Sequence, residues 1–192
     1  MARADLKLAA GNRVASLKAG LLYPLDAVYR RVGVPIPRVR LVDAEDIPFP
    51  YRTLLVHTND MTLTIERHFG APIVVRALST LLSGNWYTRR VLLAQAYSGK
   101  PVEMGAIRIN MKAFRPRTRR SILANHVPLG RILRDDGVDF ESRPRAFFAL
   151  EPNAEMMGVF WMREPRTLYG RRTEIYVDDA KIGDIVEILP LV

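Results

Sequence analysis

Apolar residues recur along this chain with two periods, and the switches between them divide it into elements. Asp60 precedes Met61, Ile65 and Phe69, a four-residue step along one helical face, and Gly70 follows. An aspartate ahead of such a run and a glycine behind it are a start and a stop, so the spacing predicts a short helix. From Ile73 the period drops to two, and residues 73–77, 86–96 and 102–110 read as strands. Ser98-Gly99-Lys100-Pro101 is the turn that makes an antiparallel hairpin of the last two. Helical patterning returns at 117–125 and again from Pro128 to Asp136, with Gly137 behind it; proline suits a first helical turn. The remainder reads as strands near 143–150, 156–163, 168–177 and 181–189, the last two joined across Asp178-Asp179-Ala180. This order predicts an α+β fold, a single antiparallel β-sheet with helices grouped on one side.

Ahead of these elements, 5–17 and 21–31 are weakly amphipathic, Val34-Pro35-Ile36-Pro37 breaks the pattern, and Pro48 and Pro50 end a linker. The 192 residues are therefore expected to divide into a basic helical N-terminal extension, 1–45, and one domain, 46–192. Charge supports the division. The chain carries 29 Lys and Arg against 20 Asp and Glu, a net +9, and its first 42 residues hold eight basic side chains against Asp5 and Asp26 alone. Such a stretch suits a solvated helix face packed on the domain or a weak contact with a membrane surface. The densest basic run, Arg115-Pro116-Arg117-Thr118-Arg119-Arg120, has only Phe114 beside it for base stacking, so no nucleic-acid partner is expected.

The absence of cysteine excludes disulfides, thiolate nucleophiles and thiolate metal sites. No apolar run approaches the roughly 20 residues that span a bilayer, and the N-terminus lacks a secretory pattern, so the expected compartment is the cytoplasm. Phosphate-binding glycine loops, nucleophile elbows and zinc motifs are missing, and His57, His68 and His126 have no metal-like spacing. Neither a metal nor a cofactor is expected.

Two charged residues stand out by their place in the strand period. In Asp184-Ile185-Val186-Glu187-Ile188-Leu189, Glu187 shares a face with Ile185 and Leu189; in Thr88-Arg89-Arg90-Val91-Leu92-Leu93, Arg89 shares one with Val91 and Leu93 while Arg90 points away. An inward cation and an inward carboxylate are costly in apolar surroundings unless something partners them. They make either a small polar pocket or a structural ion pair.

Several segments, in order, resemble the chorismate lyase (4-hydroxybenzoate synthase) family: 55–66 with its Asp60-Met61-Thr62, Trp86-Tyr87-Thr88-Arg89, Pro128-Leu129-Gly130-Arg131-Ile132-Leu133, Tyr169-Gly170-Arg171-Arg172-Thr173, and Glu187-Ile188-Leu189-Pro190. The resemblance covers about residues 50–190 and implies a single antiparallel sheet with a buried ligand pocket. It also implies a chorismate pyruvate-lyase, a carbon–oxygen lyase that eliminates pyruvate from chorismate to leave 4-hydroxybenzoate or a related hydroxybenzoate, without metal or redox cofactor. Carried over by motif, Arg89 would grip the ring carboxylate and Glu187 would face the hydroxyl end, these two being the expected catalytic residues. Met61 and Leu129 would line the ligand through their backbone. Arg90, beside Arg89, leaves the clamp open to a slip of one residue. The chain departs from the family pattern in its N-terminal extension and in longer segments at 94–101 and 135–167. The competing expectation is a non-catalytic sensor of aromatic carboxylates, since the same fold serves as the effector domain of some transcription regulators. Those carry a winged-helix domain, for which the stretch ahead of the first matching segment is short.

Overall fold

The computed structural model describes residues 20–190; the expected segment at 5–17 lies outside them. Seven strands form one sheet: β1 (Val39–Val42), β2 (Ile73–Ser83), β3 (Trp86–Gln95), β4 (Pro101–Asn110), β5 (Glu141–Leu150), β6 (Leu168–Val177) and β7 (Ala180–Leu189). Every neighbouring pair is antiparallel, in the order β1-β5-β6-β7-β4-β3-β2. The helices are α1 (Leu25–Val32), α2 (Tyr51–Leu55), α3 (Met61–Phe69), α4 (Pro116–Ala124), α5 (Leu129–Asp135) and α6 (Ala154–Val159). The α+β sheet architecture expected from the patterning is what the chain adopts.

Helix α3 shows how local sequence sets an element. The Asp60 carboxylate accepts from the Leu63 N–H at 3.0 Å, and Gly70 closes the helix at φ 61°. The turn between β6 and β7 is made by Asp178 and Asp179 at φ 49° and 58°, the left-handed pair that matches the twist of a tight hairpin. Residues 156–163, expected as a strand, instead form α6 and its exit. The Asn153 side chain caps the helix by accepting from the Met156 N–H at 2.9 Å, and Met156 and Phe160 are buried one turn apart. Apolar residues four apart fit both periods over so short a run, and the cap decides. Strand β1 and helix α2 lie where the prolines read as breakers and linker.

Four helices, α2 to α5, group on one face of the sheet. There they make two apolar clusters, one around Leu54, Leu55, Ile65, Val91 and Leu93, the other around Ile107, Ile109, Ile122, Leu129 and Ile175. The opposite face carries a third cluster, in which Leu25 and Tyr29 of α1 and Met156 of α6 pack on Leu92, Met104, Phe148 and Ile188. From the stretch ahead of residue 46, the described part thus contributes Leu22, Leu25 and Tyr29 to the core and β1 to the sheet.

Gly170 is required by close approach. A Cβ at Gly170 would lie 2.4 Å from the Glu187 carbonyl oxygen and 2.6 Å from the Phe148 ring. Gly170→Ala is therefore expected to lower stability by about 1–3 kcal/mol through overpacking between β6 and its neighbours, checked by the denaturant midpoint.

Candidate functional site

Because side chains alternate across a strand, the register decides what meets on the face that α2 to α5 cover. Arg89 pairs with Ile107, Val91 with Gly105 and Leu93 with Glu103 between β3 and β4; on β7, Ile185 stands opposite Ile107 and Glu187 opposite Gly105. Gly105 offers no side chain, and above it the two apolar clusters of this face leave a cavity of about 80 Å³. Its walls are apolar, with Val91, Leu93, Met61, Leu129, Ile175 and Ile185 among them, and its charged groups are Arg89, Glu103, Glu187 and Asp60. All four residues singled out in the sequence, Met61, Arg89, Leu129 and Glu187, line this one cavity.

Arg89 is 3% exposed and, among the described residues, hydrogen-bonds only neutral groups. Its guanidinium donates to the Asn125 side-chain oxygen at 3.5 Å and to the Val127 carbonyl at 3.4 Å, both long. Asn125, in the left-handed conformation that ends α4, also accepts from the Tyr87 hydroxyl at 2.6 Å. No carboxylate of the described residues lies within ion-pair distance of Arg89, and desolvation draws its pKa below the ordinary arginine value. Arg90 goes to the opposite face, where its guanidinium bonds Glu155 at 2.7 Å and lies 5.4 Å from the Tyr29 ring.

Glu187 does not meet Arg89. Its partner is Arg171, directly opposite on β6, and the two form an ion pair with Arg171 only 1% exposed. The Thr173 hydroxyl donates to the same carboxylate at 3.3 Å. Arg171 also donates to the carbonyls of Leu55 at 3.1 Å and His57 at 2.8 Å, which ties the loop between α2 and α3 onto the sheet. Burial and the Arg171 charge hold His57 below the usual histidine range. The neutral ring therefore has one nitrogen to donate to the Leu54 carbonyl at 2.8 Å and one to accept from Arg171 at 3.4 Å.

Two site residues escape the sequence reading, Arg171 and Glu103. Glu103 is 4% exposed and makes no hydrogen bond or ion pair among the described residues, with Oε2 wholly buried. Burial first, and the nearby Glu187 carboxylate second, push its carboxyl well above the ordinary carboxylate range. The signal that could have found both is the one that found Glu187: a charged residue sharing a strand face with the cavity floor.

Among the described residues no His, Asp or Glu cluster could hold a metal ion, and no helix is long and apolar enough to cross a membrane. An anchored but unpaired guanidinium at one end, carboxyls at the other and apolar walls between can hold a small carboxylate.

The fold is similar to that of PhnF from Mycobacterium smegmatis, with a TM-score of 0.50 and 14% identity over 70% of this chain. The chain spans 64% of the length of that protein. Weaker likenesses extend to the ligand-binding domain of a GntR-family transcriptional regulator from Bordetella bronchiseptica (TM-score 0.44, 18% identity, 60% of this chain and 84% of that one). They also reach the C-terminal domain of the histidine utilization repressor from Pseudomonas syringae pv. tomato (TM-score 0.39, 13% identity, 62% and 91%). No protein-family model and no curated protein matches the sequence. Of what the resemblance to chorismate lyase implied, the structure bears out the single antiparallel sheet and the pocket on it. The expected lyase is corrected here: the fold match is to PhnF, and none of these similar structures is named as a lyase.

The electrostatics of Glu103 make one prediction. Its folded pKa lies above the unfolded value near 4.5, so between the two the folded state holds a proton that the unfolded state releases. Stability should fall as pH rises from about 4.5 toward the raised value, and Glu103→Gln should flatten that slope in denaturant midpoints taken across the range.

Proposed function

We propose that this chain is a small-molecule-binding domain, non-catalytic, whose cavity takes an aromatic carboxylate such as a hydroxybenzoate. The observation that carries the reading is Arg89: a buried guanidinium, aimed into an apolar-walled cavity, with no carboxylate partner among the described residues. A desolvated cation without a counter-ion is unfavourable, and a ligand carboxylate supplies two charge-assisted hydrogen bonds in the guanidinium's own plane. Asn125 and Val127 hold the guanidinium through weak contacts, which a carboxylate can outcompete or share.

The remaining roles follow from position. Met61 and Leu129 stand at the first turns of α3 and α5 and close the ring-sized space between the charged ends. Glu187, fixed by Arg171 and Thr173, faces the end of the ligand away from Arg89. An apolar slot with one cation suits a flat carboxylate better than a sugar or a nucleotide, which would leave hydroxyls or phosphates unpaired. The regulator ligand-binding domains among the structural neighbours lend support to sensing as the use of such a site.

Titration calorimetry with 4-hydroxybenzoate and benzoate tests the reading. Arg89→Ala is expected to lower affinity by about 2–5 kcal/mol, roughly thirtyfold or more, whereas Arg90→Ala, on the other face, should leave it within about twofold. Absence of binding by either compound to the folded protein would overturn the proposal. Chorismate incubated with the protein should be recovered unchanged by mass; stoichiometric release of pyruvate would contradict the non-catalytic reading.

A further inference from the structure

Glu103 lies at the end of the cavity remote from Arg89. The paired ladder sets Arg89 opposite Ile107 and Leu93 opposite Glu103, so the two charged residues stand four positions apart along neighbouring strands, about 14 Å at 3.4 Å per residue. The Glu103 side chain leans back over the floor between them: its Oε1 is 3.1 Å from where a Cβ on Gly105 would be. Among the described residues, every charged group facing it is already engaged. Arg171 on β6 is committed to Glu187, and Asp60 at the start of α3 caps Leu63 and pairs with Arg134. Glu187 on β7 brings a like charge. A second carboxylate in that setting has nothing among the described residues left to neutralise it, which favours its protonated form, with a hydroxyl to donate and no acceptor among the described residues.

We propose that Glu103 is the specificity-determining residue of the cavity, its carboxyl hydrogen-bonding an uncharged oxygen on the ligand at the end away from Arg89. The site then selects monocarboxylates that carry a hydroxyl, ether or carbonyl oxygen at the far end, over monocarboxylates without one and over dicarboxylates. This rests on the carboxylate reading of the same cavity. An oxygen there satisfies the stranded acid, an apolar end leaves it stranded, and a second carboxylate adds a like charge beside Glu187.

The test is calorimetry with benzoate, 4-hydroxybenzoate, 4-methoxybenzoate and terephthalate on the wild type, Glu103→Gln and Glu103→Leu. The wild type should bind 4-hydroxybenzoate and 4-methoxybenzoate about tenfold tighter than benzoate, with terephthalate weakest. Glu103→Gln, which keeps the shape and a donor, should retain most of the preference. Glu103→Leu should bind benzoate as tightly as it binds 4-hydroxybenzoate, within about twofold, and should show a raised denaturation midpoint, because it removes a buried unpartnered polar group. Glu103→Met gives the same readout should the leucine variant not fold. If the leucine or methionine variant keeps the wild-type preference, Glu103 is a packing residue and this proposal falls while the carboxylate reading stands. If none of the four compounds binds the wild type, both fall together.

Discussion

The buried ion pair between Arg171 and Glu187 is the constraint around which the face under α2 to α5 is arranged. Taking a guanidinium out of water is unfavourable by several kcal/mol unless its donors are met, and here three acceptors meet them. Glu187 comes from β7, while the carbonyls of Leu55 and His57 come from the chain between α2 and α3. An apolar pair of the same volume could match the energy, but it would not fix the loop. With Leu55 and His57 held, Asp60 and Met61 are delivered to the rim of the cavity a few residues later. The same pair uses up the one cation beside Glu103 among the described residues, which is why that acid is left to itself.

The two arginine pairs in the sequence work alike. Arg89-Arg90 and Arg171-Arg172 each send one guanidinium to either face of the sheet. Arg90 and Arg172 find acidic partners on the far side, Glu155 and Asp184, the latter at 3.0 Å. On the near side Arg171 has Glu187, and among the described residues Arg89 has only an amide and a carbonyl oxygen. Four buried arginines in the central strands explain how a strongly basic chain keeps an interior: three have acidic partners, and the exception points into the cavity.

Much of this was legible in the sequence. Period-two alternation assigned Arg89 and Glu187 to an inward face and Arg90 outward, and the strands, turn and capped helix that carry them followed from Asp60, Gly70 and the 98–101 turn. What alternation could not supply was partnership across strands. Arg171 meets Glu187 through the β6–β7 register, so the sequence left open whether Glu187 belonged with Arg89. Glu103 sits in Val102-Glu103-Met104-Gly105, where a single charge on a strand looks like a solvent-facing residue until α3 and α5 are seen to cover it. Residues 156–163 failed for a different reason: an asparagine cap outweighs an apolar run too short to have a period of its own. Strand β1 carries Arg40 and follows two prolines, and it is held as a strand by pairing with β5 rather than by its own composition.

The cavity also lies along a seam. One wall belongs to the cluster under α2 and α3, the other to the cluster under α4 and α5, and above the sheet the halves are joined by ion pairs of Asp60 with Arg134 and Glu66 with Arg131. Both pairs are partly solvated, and salt weakens such ties. An occupant touching Val91 and Ile185 together would brace the two halves from within, through contacts that salt hardly screens. By mass action its binding free energy adds to the cohesion of the fold. Occupancy and mechanical integrity of this face are thus one quantity, and the bound protein would resist high ionic strength in a way the empty one does not.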